Sequence, residues 1–264
     1  MIHVVPLKEY NVLRNMMVPT NFSSPDRFCN GDMMPKTEIL EKMNNSCMKS
    51  KSHINRSINV FIIAGRGPII LRGPVNSEEL TSYQIDKALN SFRPARQQLK
   101  ALIEIASLDD GYVFIVESGK VIVGYVIFCP PDEYLKWGND QIPGLLELGA
   151  IEISPNWRHE GLGVKLLREV FKTGIFEDYL IISMEFYWHW DTDKSELSLW
   201  EYRNMLSRVL GTFGFEQWKT DDPDITSHPA NTFMVRAGKR IPNEWIERMK
   251  VIATSRRITL GETI

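Results

Sequence analysis

Arg158, Gly161 and Gly163 stand in the hexapeptide RHEGLG, between an apolar run with strand character and an amphipathic run with helical spacing. A helix start leaves its first four N–H groups unpaired and carries partial positive charge, so it is a ready site for an anion. Glycines at 161 and 163 remove the side chains that would hold a phosphate away from those amides, and Arg158 adds a full charge. The spacing is neither the GxGxxG dinucleotide fingerprint nor GxxxxGK[ST], so it favours neither hydride transfer nor nucleotide hydrolysis. A plain strand-to-helix turn that needs glycine dihedrals has the same spacing. Spacing alone does not separate the two.

The elements that must position this turn are readable on both sides. LLELGAIEI, residues 145–153, reads as a strand, and Leu162, Leu166, Leu167, Val170 and Phe171 recur at helical spacing, giving one face to pack on a sheet. Upstream, INVFIIAG and PIILRG predict a hairpin, and YVFIVE and VIVGYVIF around SGK predict another. Asn76 with Glu79 resembles a capping box opening a helix to about residue 90, and Pro94 suits the first turn of a helix ending near Ser107. YLIISMEFYW predicts a buried strand, residues 196–210 a helix, NTFMVRAG a last strand, and residues 242–254 an amphipathic helix. This order predicts an α+β fold with a mixed sheet and helices packed on it.

Composition bounds the function classes. The chain has 264 residues, 43% of them hydrophobic, with 31 Lys and Arg against 33 Asp and Glu. A net charge of −2 gives no basic field for nucleic acid or an anionic membrane. The longest apolar stretch, 121–129, is far below the roughly 18 residues of a membrane span. Cys29, Cys47 and Cys129 make neither a disulfide framework nor a zinc site, and no His, Cys and carboxylate set has metal spacing, so no metal is expected and a reducing cytoplasm is. Residues 1–47 mix Pro, Ser, Asn and Asp without a period and read as a loosely ordered extension, or as lying before a true start at Met43 or Met48.

The fuller stretch LELGAIEISPNWRHEGLGVKLL resembles motif A of the GCN5-related N-acetyltransferase superfamily, with signature [Q/R]xxGx[G/A] at Arg158, Gly161 and Gly163 and a preceding V/I-x-P at Ile153, Ser154 and Pro155. The resemblance implies that superfamily's mixed, mostly antiparallel sheet. It implies acetyl-coenzyme A (acetyl-CoA) as co-substrate, held by Ile151, Ile153, Arg158, His159, Glu160, Gly161, Leu162, Gly163 and Val164. ILRGPV, FRPAR, IVGYV, EFYWHWD, WEYR and SHPAN, in this order, are similar to the acetoin-utilisation acetyltransferase family of bacilli over about residues 50–257. That likeness implies a single acetyltransferase domain over 48–257, a tail over 258–264, and acetylation of a lysine of acetyl-CoA synthetase, which inactivates it. A small-amine acetyltransferase and a non-catalytic, acyl-CoA-dependent regulator of the synthetase are the alternatives. Oligomeric state is left open.

An amine must be neutral to attack a thioester, and a free lysine is only about one part in 2,500 neutral at pH 7. That handicap of roughly 4–5 kcal/mol calls for a base or a desolvating pocket. Glu147 and Glu152 are the candidates, and Glu147, eleven residues before Arg158, resembles the base position of the histone-acetylating branch. Regular alternation would send the two to opposite faces, whereas the superfamily's bulge in this strand leaves the choice open. Glu185 is a third possibility. The superfamily's acidic tyrosine, about four residues before a terminal GF, is replaced by Leu210, so Tyr187 or Tyr202, each read otherwise as a buried aromatic, would substitute for it, or the thiolate leaves without an enzyme acid. Tyr187, Trp188, His189, Trp190 and Asp191 are read either as packing or as a substrate wall with an acidic lip for an ammonium. His228 reads as a turn residue. Seven Lys and Arg against two Glu over 236–257 read as a solvated face or a partner-docking surface.

Overall fold

The computed structural model describes residues 57–63, 67–133, 135–138, 142–158 and 160–255. The expectations for the extension over 1–47, the start of the domain at 48, the tail over 258–264 and His159 fall outside them.

The strands, in chain order, are β1 (Ser57–Ile63), β2 (Gly67–Gly73), β3 (Gln84–Ile85), β4 (Tyr112–Ser118), β5 (Val121–Cys129), β6 (Leu145–Ile153), β7 (Leu180–Glu185), β8 (Glu216–Trp218) and β9 (Thr232–Ala237). They form one sheet in the order β1-β2-β4-β5-β6-β7-β9-β8. The two-residue β3 lies parallel to the start of β5. Neighbours along the sheet are antiparallel except β6 and β7, which are parallel. β4, β5 and β6 are near-continuous apolar runs because helices cover both of their faces.

The helices are α1 (Ser77–Leu80), α2 (Ala95–Ser107), α3 (Leu162–Lys172), α4 (Thr192–Ser195), α5 (Leu199–Gly211), α6 (Pro223–Thr226) and α7 (Asn243–Thr254). On one face α3 and α5 bury Leu166, Leu167, Val170, Leu206 and Leu210 against Ile151, Ile153 and their neighbours. On the other, α2 packs Leu102 and Ala106 on Val113, Ile115, Tyr125 and Ile127. Trp245, Met249 and Ala253 of α7 cover Leu180, Ile182 and Val235.

The helix expected over 76–90 stops after one turn. Asn76 does cap it, its Oδ1 accepting from the Glu79 amide at 2.7 Å. The chain then leaves helical geometry because Gln84 and Ile85 join β5 and Tyr83, Leu89 and Phe92 are buried individually. The strand over YLIISMEFYW ends at Glu185, where a 3-10 turn at Tyr187–His189 takes over. The next helix starts at Leu199 rather than 196, where Ser198 and Glu201 form a capping box after Glu196 adopts a left-handed φ of 57°. β3 and β8 were not anticipated, and both are too short to show a period.

Candidate active site

The β5–β6 register shifts between Ile127 and Phe128: Ile127 faces Ala150 and Phe128 faces Leu148, leaving Gly149 as an extra residue in β6. A Cβ on Gly149 would stand 3.3 Å from Ile127 and 3.5 Å from the Cys129 sulfur, which explains glycine there. The bulge resets the alternation. Glu147, Ala150 and Glu152 oppose Cys129, Ile127 and Tyr125, so the two glutamates share a face. β6 and β7 then pair only over residues 145–147 and 180–182, and beyond Glu147 the strands part.

Beyond Glu147 on β6, a cleft of about 420 Å³ is lined by Ile151, Ile153, Gly161, Gly163, Met205 and Val209, among others. Gly161 caps α3 with a φ of 65°, which a side chain would strain, and its carbonyl accepts the first helical bond from Lys165 at 3.0 Å. A Cβ on Gly163 would meet only Ile153 and Ile151, at 3.8 and 3.9 Å, so this residue leaves the cleft floor open beside the helix amides. Arg158 lines the same cleft and pairs with Asp191 at 3.0 Å, both about six-sevenths buried. Glu160, Leu162 and Val164 belong to the same turn; Leu162 is buried and lines the cleft with Val164, whereas Glu160 is exposed.

Glu147 and Glu185 are each 1% exposed, and Oε2 of each has no hydrogen-bond partner. Burial pushes the Glu147 carboxyl up to about 8, with the charges of Asp132 and Glu185 adding to it. Glu185 is also raised to about 8 by burial, against a hydrogen bond from Ser183. Glu152 is different: Oε1 accepts from the Ser91 amide at 3.1 Å and Oε2 from the Tyr125 hydroxyl at 2.7 Å. Both of its oxygens are occupied in tying the segment before α2 to the sheet.

The raised carboxyls make stability fall with pH. A Glu185 that titrates at about 8 when folded and at 4.5 otherwise stabilises the fold fully below 4.5, and the contribution is lost as pH rises through about 8. Glu185→Gln removes this dependence, so its melting temperature should match or trail wild type at pH 5 and exceed it at pH 8.5. Thermal melts across that range check it.

Residues 78–185 match the Acetyltransferase (GNAT) family. The chain is 39% identical over 182 residues to the acetoin utilization protein AcuA of Bacillus subtilis (strain 168), covering 69% of this chain and 87% of that one. It is 40% identical over 183 residues to AcuA of Bacillus licheniformis, with the same coverage. The crystal structure of an acetoin utilization protein from Exiguobacterium sibiricum 255-15 superposes with a TM-score of 0.71 at 38% identity, covering 76% of this chain and 96% of that one. The chain belongs to the GNAT family. It is an N-acetyltransferase, of a family that uses acetyl-CoA as co-substrate.

The aromatic string of this GNAT chain is divided between two surroundings. Trp190 and Asp191 turn inward: Trp190 stacks on Tyr202 at 5.3 Å, and the Asp191 amide donates to the Tyr202 hydroxyl. Tyr187 and Trp188 are exposed, 36% and 48%, with Tyr187 against the His228 ring at 4.1 Å. Asn231 Oδ1 accepts from the Tyr187 amide, tying this turn to the one at 227–231. Burial pulls the His189 imidazole down to about 4, so it is neutral near pH 7. His228 Nδ1 accepts from the Ala230 amide, as a turn residue does.

Leu210, at the position of the GNAT tyrosine, is fully buried in the core. Tyr202, two turns earlier on α5, is also fully buried; burial and the Glu185 charge raise its hydroxyl well above the ordinary tyrosine range. The C-terminal cations are partly committed. Arg236 bonds Glu177 and the carbonyls of Phe176 and Phe213, Arg240 pairs with Asp178, and Lys250 pairs with Glu247. Met205 and Val209 of α5 line the cleft without having been singled out in sequence; as ordinary apolar residues one helical turn apart, they carried no signal beyond core packing. Asp132, in the loop after β5, was missed for want of any local pattern. Among the described residues no group of three or more His, Cys, Asp or Glu side chains could hold a metal ion, and no helix is long and apolar enough to cross a membrane.

Proposed function

We propose that this N-acetyltransferase transfers the acetyl group of acetyl-CoA to a lysine side chain of a protein, with Glu147 as general base. The observation that carries the reading is a buried carboxylate with a free oxygen at the point where β6 and β7 part. In a GNAT enzyme that opening would receive the thioester, with the pantetheine arm along Ile151, Ile153 and Met205 and the pyrophosphate at the α3 amides. The residues present fit such a ligand: an apolar channel leads to open N–H donors, and glycine stands where a side chain would block them. Arg158 adds a cation to the phosphate end, and Glu160 and Val164 flank it. The chain's own groups then do the rest. Glu147 takes a proton from the acceptor ammonium, the neutral amine attacks the acetyl carbon, and the carbon–sulfur bond breaks with its electron pair on sulfur; Tyr202 protonates the thiolate and is reprotonated by the second proton that the nitrogen loses as the amide forms, and Glu147 releases its own proton to water.

Tyr187, Trp188 and His189 would form the wall along which a lysine stem enters, and the exposed faces of the first two suit a folded protein as acceptor. The relatives are named for acetoin utilisation, which supports that setting for this activity, and the acceptor we propose is acetyl-CoA synthetase, inactivated by acetylation in the cytoplasm. Mass spectrometry of that synthetase after incubation with acetyl-CoA, with and without this protein, tests it. One added acetyl group on one lysine together with lost synthetase activity is the expected result. Lost activity without added mass would instead establish inhibition by binding, and no change in either would exclude the synthetase as acceptor.

A further inference from the structure

We propose that Asp191 is a positioning residue for the cofactor: its carboxylate holds the Arg158 guanidinium in the cleft wall, so that the remaining donors of the arginine meet a phosphate of acetyl-CoA. This rests on the reading of the α3 turn as the phosphate end of the site and extends it to what organises the charge there.

Arg158 and Asp191 are the only charged residues among the described residues that line the cleft. A carboxylate in a cleft that binds an anion repels its ligand, so its presence there needs a structural reason. The ion pair supplies one. Arg158 Nη1 donates to Asp191 Oδ2 at 3.0 Å, and both side chains are about six-sevenths buried. That bond uses one of the five guanidinium donors, and Nε has no hydrogen-bond partner among the described residues. Buried polar groups are normally satisfied, so the arginine keeps capacity for the acceptor oxygens of a ligand. Arg158 stands three residues before Gly161, the residue that opens α3, so guanidinium and helix amides belong to one turn.

Asp191 is itself fixed from behind. Its amide donates to the hydroxyl of Tyr202, which is fully buried on α5 and stacks on Trp190 at 5.3 Å. Its carbonyl accepts from the Ser195 amide at 3.1 Å. Both bonds use the Asp191 backbone, so replacing the side chain releases Arg158 and leaves the anchor in place. A free arginine gives up rotamer freedom when it meets a phosphate, whereas a tethered one has given it up on folding. Charge and position therefore predict opposite signs for loss of the carboxylate. By charge alone, removing an anion from the cleft tightens the binding of a phosphate. Position outweighs it, because no other carboxylate among the described lining residues holds Arg158 in the cleft, and an arginine released to solvent is screened.

The test compares coenzyme A with pantetheine, which lacks the diphosphate and the adenosine, by calorimetric titration of the full chain. Asp191→Ala should weaken coenzyme A binding about fivefold to tenfold, the cost of immobilising one side chain anew. Pantetheine affinity should stay as in wild type, and Asp191→Glu should restore most of the loss. Arg158→Met should weaken coenzyme A at least as much, and adding Asp191→Ala to it should weaken binding no further. Tighter or unaltered coenzyme A binding by Asp191→Ala, or losses that add in the double variant, overturns the proposal. Wild type decides even where a variant fails to fold: with 15N-labelled arginine, the Arg158 Nε–H resonance should shift on addition of coenzyme A and not of pantetheine, and a resonance indifferent to both overturns the proposal too. Equal affinity of wild type for coenzyme A and pantetheine would instead overturn the α3 turn as the phosphate end, a failure read without any variant.

Discussion

Gly163→Glu should lower acetyl-CoA affinity by about 100-fold or more while leaving the fold as stable as before or slightly more so. The two effects have opposite signs for one reason, the partial positive charge at the start of α3. A fixed carboxylate in the first turn is favourable there by about 0.3–1 kcal/mol, and replacing a helical glycine adds up to about 1 kcal/mol. The same carboxylate would sit where the Gly163 Cβ direction opens on the cleft, near Ile151 and Ile153, and would occupy the amides that a pyrophosphate needs. Two charge-assisted hydrogen bonds lost at about 1.5–3 kcal/mol each account for the factor. Calorimetric titration with coenzyme A beside a thermal melt reads both signs. Undiminished affinity would mean that the glycines serve only the turn.

Glu147→Gln should reduce kcat by about 10²–10⁴ with the KM for acetyl-CoA unchanged. The pH profile carries the sharper signature. A base must be ionised, and burial holds Glu147 up to about 8, so the wild-type rate with a lysine acceptor climbs as pH rises to about 8 and then levels. Without the base, only the neutral amine reacts, and the rate keeps climbing toward the lysine pKa of about 10.4. Initial rates from pH 6 to 10 distinguish the two curves. A break near 8 that survives in Glu147→Gln would assign it to another group, with Glu185 the first candidate.

What was legible in the sequence was local. The strand over 145–153, the glycine turn and the helix after it were readable because periodicity and a rare residue pattern lie within one stretch, and the family likeness followed from the same residues. The side of the sheet to which Glu147 points was not readable, since alternation counts in twos and the extra residue at Gly149 leaves no compositional mark. Nor was the difference between Glu147 and Glu152. Glu152 is engaged by Ser91, 61 residues away, and Tyr125, 27 away, and only the fold brings these together. Arg158 and Asp191 were singled out for different roles, and their ion pair joins the glycine turn to the aromatic turn through contacts no spacing rule contains.

The extra residue at Gly149 also sets what kinds of genetic change this enzyme can absorb. Deleting it would restore strict alternation in β6 and carry Glu147 to the opposite side of the sheet, away from Cys129, with every apolar neighbour before it inverted. Substitutions along β6 adjust packing by degrees, whereas a single-codon insertion or deletion there exchanges inside for outside at once. Lineages of this enzyme should therefore diverge through replacement in β6 and keep its length fixed, with length variation confined to the connections on either side.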